Sequence, residues 1–202
     1  MAHIPDGVVS IPVLAAGAAV TLAGCGLGLR RLPPEAVPRV AVLSAVFFVA
    51  SLVHLPAGVS SVHLILNGLM GITLGVAAFP AILVALLLQA VLFGFGGLVV
   101  LGVNVMNMAV PAVLAGALFT VLNRPGDGRR AALAGGVSAA VAVAATALMV
   151  ALSLALSGQE FLPAAKLLGL TYVPVLVVET VFTAAAVGLV ARVRPGLLGG
   201  KP

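Results

Sequence analysis

The chain opens with Met1-Ala-His-Ile-Pro-Asp-Gly7 and passes directly into an apolar run from Val8 to Leu29, with no Lys or Arg before Arg30. A secretory signal destined for cleavage carries a positive n-region and a short apolar core. This start has neither, so the run reads as a retained membrane span whose leading end lies outside. The same seven residues carry chemistry. A free amine followed within one or two residues by a histidine can present the amine nitrogen, one or two deprotonated backbone amide nitrogens and the imidazole Nδ1 in one plane. That donor set suits Ni(II) or Cu(II), with Co(II) a third candidate. Alone, the stretch also reads as a frayed tail, so its meaning depends on what the remaining chain brings beside it.

Composition decides the class. Of 202 residues, 62% are hydrophobic and 7% charged, against roughly 25% charged in a soluble globular domain, and the mean hydropathy is +1.31. The expectation is an integral membrane protein with lipid as its immediate surroundings. The single cysteine, Cys25, lies inside an apolar run, so there is no disulfide framework and the thiol reads as a small packing residue. A net charge of +5 does not point to nucleic acid, because the charges form no patch and aromatics for base stacking are scarce. No GxxxxGK[ST] loop occurs, so any ATP hydrolysis belongs to another chain.

The apolar runs and their punctuation predict an all-α, polytopic membrane helical bundle, one integral domain over 1–202, with helices at about 8–29, 40–55, 61–77, 79–93, 103–122, 131–156 and 172–192. The second ends at His54-Leu-Pro-Ala-Gly58, a stop signal. On the third, His63 and Asn67 stand four apart, which would place them on one helix face. Gly94-Phe-Gly-Gly97 lacks a following Lys-Ser/Thr and reads as a tight turn rather than a phosphate cradle.

Charge placement tests the count. With the N-terminus outside and seven spans, the inside loops hold Arg30, Arg31 and Arg39, then Arg124, Arg129 and Arg130, then Arg192, Arg194 and Lys201. Nine of the ten basic residues thus lie inside, Lys166 alone lies outside, and the C-terminus is cytoplasmic. This topology puts residues 1–7, His54, His63 and the 94–104 stretch on one outer side, where an incoming ion arrives.

Four motifs in order then resemble the CbiM/NikM family, the substrate-capture (S) components of energy-coupling factor transporters for cobalt and nickel. They are Met-x-His-Ile-Pro-Asp-Gly at the start, Ser60-Ser-Val-His63, Phe93-Gly-Phe-Gly-Gly-Leu98 and Leu101-Gly-Val-Asn-Val-Met-Asn-Met108, with a weaker match around Glu179. The resemblance implies a seven-helix bundle of a bacterial inner membrane whose N-terminal segment inserts back into it from outside. It implies Ni(II) or Co(II) as the transported substrate, a transmembrane coupling subunit and cytoplasmic ATPases as partners, and a small accessory membrane subunit as a further one. Carried over, the ligands are the terminal amine, the His3 backbone nitrogen, the His3 ring and the His63 ring. The family pattern begins Met-His, so Ala2 is a one-residue departure. If Met1 is removed, Ala2 supplies the amine and His3 keeps the family register. If Met1 stays, its amine, the Ala2 and His3 amides and the His3 ring already fill a plane and His63 becomes axial or stands behind the ligands without touching the ion.

The other polar residues admit two readings each. Asp6 caps the turn into the first helix or draws cations; His54 faces water beside its turn or joins the metal. Asn67, Gln89, Asn104 and Asn107 orient His63 and pin the terminus, or simply join helices. Glu179, deep in the last span, is a functional candidate that would pair with the N-terminal segment, or a neutral structural group. A self-sufficient secondary transporter or channel for divalent metals is the alternative, but it would show inverted repeats or a chain of ionisable groups across the spans. A membrane metalloenzyme would need a cluster such as HExxH, which is absent.

Overall fold

The computed structural model describes residues 3–52, 54–57, 60–124 and 126–199; over 54–57, 60–63 and 164–170 it describes the backbone alone. Seven helices dominate: α1 (Ile11–Arg30), α2 (Val37–Leu52), α3 (Asn67–Leu74), α4 (Ala78–Phe93), α5 (Leu101–Leu122), α6 (Gly128–Ala155) and α7 (Leu162–Val193). Their ends follow local chemistry. Pro12 sits in the first turn of α1, where its missing N–H costs nothing. Asp127 caps α6 by accepting the N–H groups of Arg129 and Arg130 at 3.0 and 3.1 Å. α7 begins about ten residues earlier than the sequence suggested, with Pro163 in its first turn, and continues past Pro174.

Six described helical stretches are long and apolar enough to cross a membrane, and large apolar side chains such as Val91, Leu133, Val181 and Leu189 point outward. An outer surface of this kind is stable only in lipid, so the chain is a multi-pass membrane protein. One of the six, Asn67–Phe93, is not a single rod. Ile72 packs with Phe119 and Ala131, where α5 stops and α6 starts, and Val76 and Ala77 meet Gly28 near the end of α1. From there α4 runs back past Gly24 to the 94–97 loop beside residues 3–6. The reversal occurs at Gly75, whose φ of 54° with ψ of −127° is open only to glycine.

The helix expected over 61–77 is therefore corrected. Residues 60–63 form strand β2, paired antiparallel with β1 (His54–Ala57) so that His54 stands opposite His63, and α3 begins only at Asn67. His63 and Asn67 do not share a helix face. Leu66, with φ of 53°, breaks any helical continuity between them.

Small residues set the packing. A Cβ on Gly71 would lie 1.6 Å from the carbonyl oxygen of Ala112, and one on Gly116 would lie 2.3 Å from that of Gly71, so α3 and α5 cross backbone to backbone. Thr21 Oγ1 donates to the Gly102 carbonyl (2.7 Å), tying α1 to α5, and Ser44 Oγ to that of Ala81 (2.8 Å), tying α2 to α4.

Candidate metal centre

The N-terminal segment is folded into one end of the bundle. Ile4 is 3% exposed and packs with Val100, Val103, Val150 and Leu154. Its N–H donates to Asn104 Oδ1 at 2.9 Å, and its carbonyl accepts from Asn104 Nδ2 at 3.0 Å. One side-chain amide thus satisfies both backbone groups of a residue that has left water. Two residues on, Asp6 Oδ1 accepts the N–H of Val100 at 2.9 Å, at the head of α5. Asp6 therefore caps α5, not the turn into α1, because the segment lies across the α5 N-terminus, where orphan N–H groups and the helix dipole favour a carboxylate. Ser10 N–H donates to Ser157 Oγ at 3.1 Å, closing the segment against the end of α6.

These contacts place His3. Its ring is half-buried and stacks on Phe95, with centroids 6.5 Å apart and planes at 20°, while Phe95 in turn stacks on Phe93. Gly96 lies against His3, Ile4 and Asn104, and Gly97 against the Asp6 carboxylate. The 93–97 stretch is thus the floor on which residues 3–6 rest.

The remaining sequence-predicted residues divide. Met1 and Ala2 lie outside the described residues, as do the side chains of His54 and His63; the backbone register brings those two histidines opposite each other. Among the described residues no three His, Cys, Asp or Glu side chains gather into a cluster. Asn104 holds the segment directly, whereas Asn107 accepts from Ser153 Oγ at 3.2 Å, one turn deeper. Asn67 Nδ2 donates to Thr146 Oγ1 (2.8 Å) and to the Met108 carbonyl (3.3 Å), joining α3 to α6 and α5. Gln89 donates to Ser51 Oγ, joining α4 to α2. Among the described residues Glu179 makes no hydrogen bond to the N-terminal segment: its Oε1 accepts the N–H groups of Ile65 and Leu66, the latter at 2.8 Å. The unpaired backbone before α3 was the nearer need. Sequence reasoning missed Phe95 as the platform for His3 and Ser157 as a partner of the segment; the sole signal for Ser157 was a small polar residue ending a long apolar run.

The geometry defines a multi-pass membrane protein in which the first described residues close one end of a helical bundle. A family model described as "CbiM: Cobalt uptake substrate-specific transmembrane region" matches residues 3–197, and the chain belongs to that family. It is a transmembrane component of cobalt or nickel uptake. It is 40% identical over 198 residues, covering 97% of this chain and 96% of the relative, to a "Putative metal transport protein" of Haemophilus influenzae. It is 35% identical to the "Fused nickel transport protein NikMN" of Rhodobacter capsulatus, matching 74% of this chain but only 46% of that longer protein. A crystal structure titled as a truncated transition metal transporter superposes with a TM-score of 0.71 at 27% identity, covering 94% of this chain and 96% of the other.

Proposed function

We propose that the chain is the capture component of an ATP-driven importer of Ni(II) or Co(II), binding the ion with the N-terminal amine, the backbone nitrogen and ring of His3, and the ring of His63. The observation that carries this reading is the Asn104–Ile4 clamp: it fixes residue 4 and so sets the neighbouring histidine beside the 93–97 floor. Nitrogen donors in a plane suit Ni(II) or Cu(II), with Co(II) a third, and raw affinity would favour copper, so the choice of Ni(II) or Co(II) in this reading rests on the cobalt and nickel transport relatives. In this reading Met1 is removed, Ala2 supplies the amine, and the ion arrives from the outer side. The eight arginines lie toward the opposite end of the bundle, at the ends of α1, α5 and α7 and the starts of α2 and α6, which supports that end as the cytoplasmic one.

Energy comes from separate subunits, cytoplasmic ATPases acting through a transmembrane coupling protein, and a small accessory membrane subunit is a further candidate partner. The length of the fused nickel relative, about half of which lies beyond this chain, agrees with a second part acting alongside this one.

The test is metal binding by purified protein with a free amine against protein blocked by an acetyl group or a fused tag, with mass spectrometry reporting whether Met1 is present. Blocking is expected to abolish high-affinity Ni(II) and Co(II) binding; normal binding by the blocked protein would overturn the ligand set. Uptake in cells with and without the coupling and ATPase subunits separates this reading from a self-sufficient secondary transporter, which would need neither.

A further inference from the structure

The capture reading leaves one buried acid without a task. Glu179 lies in the middle of α7 with none of its surface exposed, and an ionisable side chain at that depth is retained for a function. Its Oε1 accepts two N–H groups that are consecutive in sequence, those of Ile65 and Leu66. Leu66 is left-handed and α3 starts at the next residue. Successive N–H groups in such a conformation form a concave anion site, with the dipole of the following helix behind it.

The depth of this junction makes the contact necessary. α3 has eight residues and rises only about 12 Å, so the chain enters it partway along the bundle rather than at its end. Non-helical backbone at such depth is tolerated only where its polar groups find partners inside the protein. Glu179 supplies that partner from a helix more than a hundred residues downstream, and Oε2 makes no hydrogen bond of its own among the described residues. The last strand residue before the clamped pair, separated from it by Leu64 alone, is His63.

We propose that Glu179 is a positioning residue of the metal centre: by gripping the Ile65–Leu66 backbone it sets where β2 ends and hence where His63 stands. The inference rests on His63 being a ligand. It predicts that removing the acceptor weakens metal binding through His63 without any contact between Glu179 and the ion.

The experiment compares Glu179→Gln, which keeps an oxygen able to accept both N–H groups, with Glu179→Met, which keeps the volume and removes the acceptor. Each is made in the full chain and in a His63→Ala background. Ni(II) affinity, the ligand-field absorption of bound Ni(II) and the thermal midpoint are read for each. Glu179→Met is expected to lose about 10- to 100-fold in affinity, the usual cost of removing a group that orients a ligand. Its Ni(II) spectrum should shift toward that of His63→Ala, while Glu179→Gln stays within a few-fold of the parent protein. In the His63→Ala background Glu179→Met should cost nothing further. Equal affinity and spectrum for the Gln and Met variants would overturn the inference, as would a full additional loss in the His63→Ala background. If Glu179→Met fails to fold, Glu179→Gln still decides, because loss of the parent spectrum in that folded variant contradicts the proposed role. Should His63→Ala alone bind Ni(II) normally, the ligand assignment fails, an outcome visible without any Glu179 variant.

Discussion

Asn104 holds Ile4 as a neighbouring strand would: its amide oxygen accepts the Ile4 N–H and its amide nitrogen donates to the Ile4 carbonyl, at 2.9 and 3.0 Å. A side chain on the first turn of α5 thereby replaces the water that a chain end would otherwise keep.

Asn104→Ala strips both partners from a buried backbone, at about 1–3 kcal/mol for each group left unsatisfied. The expected response is expulsion of the segment rather than payment of that penalty. Hydrogen exchange at residues 3–6 should accelerate, and Ni(II) or Co(II) affinity should fall by about 10- to 100-fold. Unchanged exchange would show that apolar burial of Ile4 is sufficient.

Asp6→Ala removes the acceptor at the head of α5 and should cost about 1 kcal/mol, as for an N-cap, lowering the thermal midpoint by about 2–4 °C. Asp6→Asn, which retains Oδ1, should cost less. If Asp6 instead served chiefly to attract cations, both variants would slow metal association alike and leave the midpoint unmoved.

Acidification should weaken metal binding. In the proposed ligand set the amine, the amide and the imidazoles must all be deprotonated to bind, so the ion competes with protons. The apparent affinity should drop by about tenfold per pH unit for each proton displaced over the range studied. Titration at several pH values with proton release measured in parallel checks this, and a flat profile would remove amide ligation from the ligand set.

Gly71→Ala should be among the most damaging substitutions away from the metal centre. Its new methyl would enter the space of the Ala112 carbonyl, and overpacking of this kind costs about 1–3 kcal/mol or more. Folding yield and thermal midpoint report it. Gly26→Ala, with open space around it, should be close to neutral.

The six long helices and the gathering of arginines at one end were legible because lipid imposes them: apolar runs must be long, and basic residues stay on one side. The entry into α3 was not legible. Ser60-Ser-Val-His63 has no turn signal against a helix, and the non-helical backbone that follows it is met by a carboxylate 114 positions from Ile65, beyond the reach of any local pattern. The same distance effect reassigned Asp6, whose Asp-Gly context looked like local turn chemistry until α5 came to lie beneath it. Asn104 was visible as a polar residue near a helix start; its grip on residue 4 depended on the tertiary fold. The resemblance to a known family supplied His3 and His63 as a pair, which composition and periodicity did not.

The contact of Gly71 with Ala112 and Gly116 reaches beyond stability. No side chain lies between the two backbones, so nothing at that joint can rotate to absorb a strain, and α3 and α5 behave as one welded strut. Asn104 extends from one arm of it and the strand bearing His63 leads into the other. In the proposed ligand set the gap between its two halves is gauged by this close crossing, so release of the ion is expected to lift the leading segment away or bend the chain above Asn67 rather than to part α3 from α5.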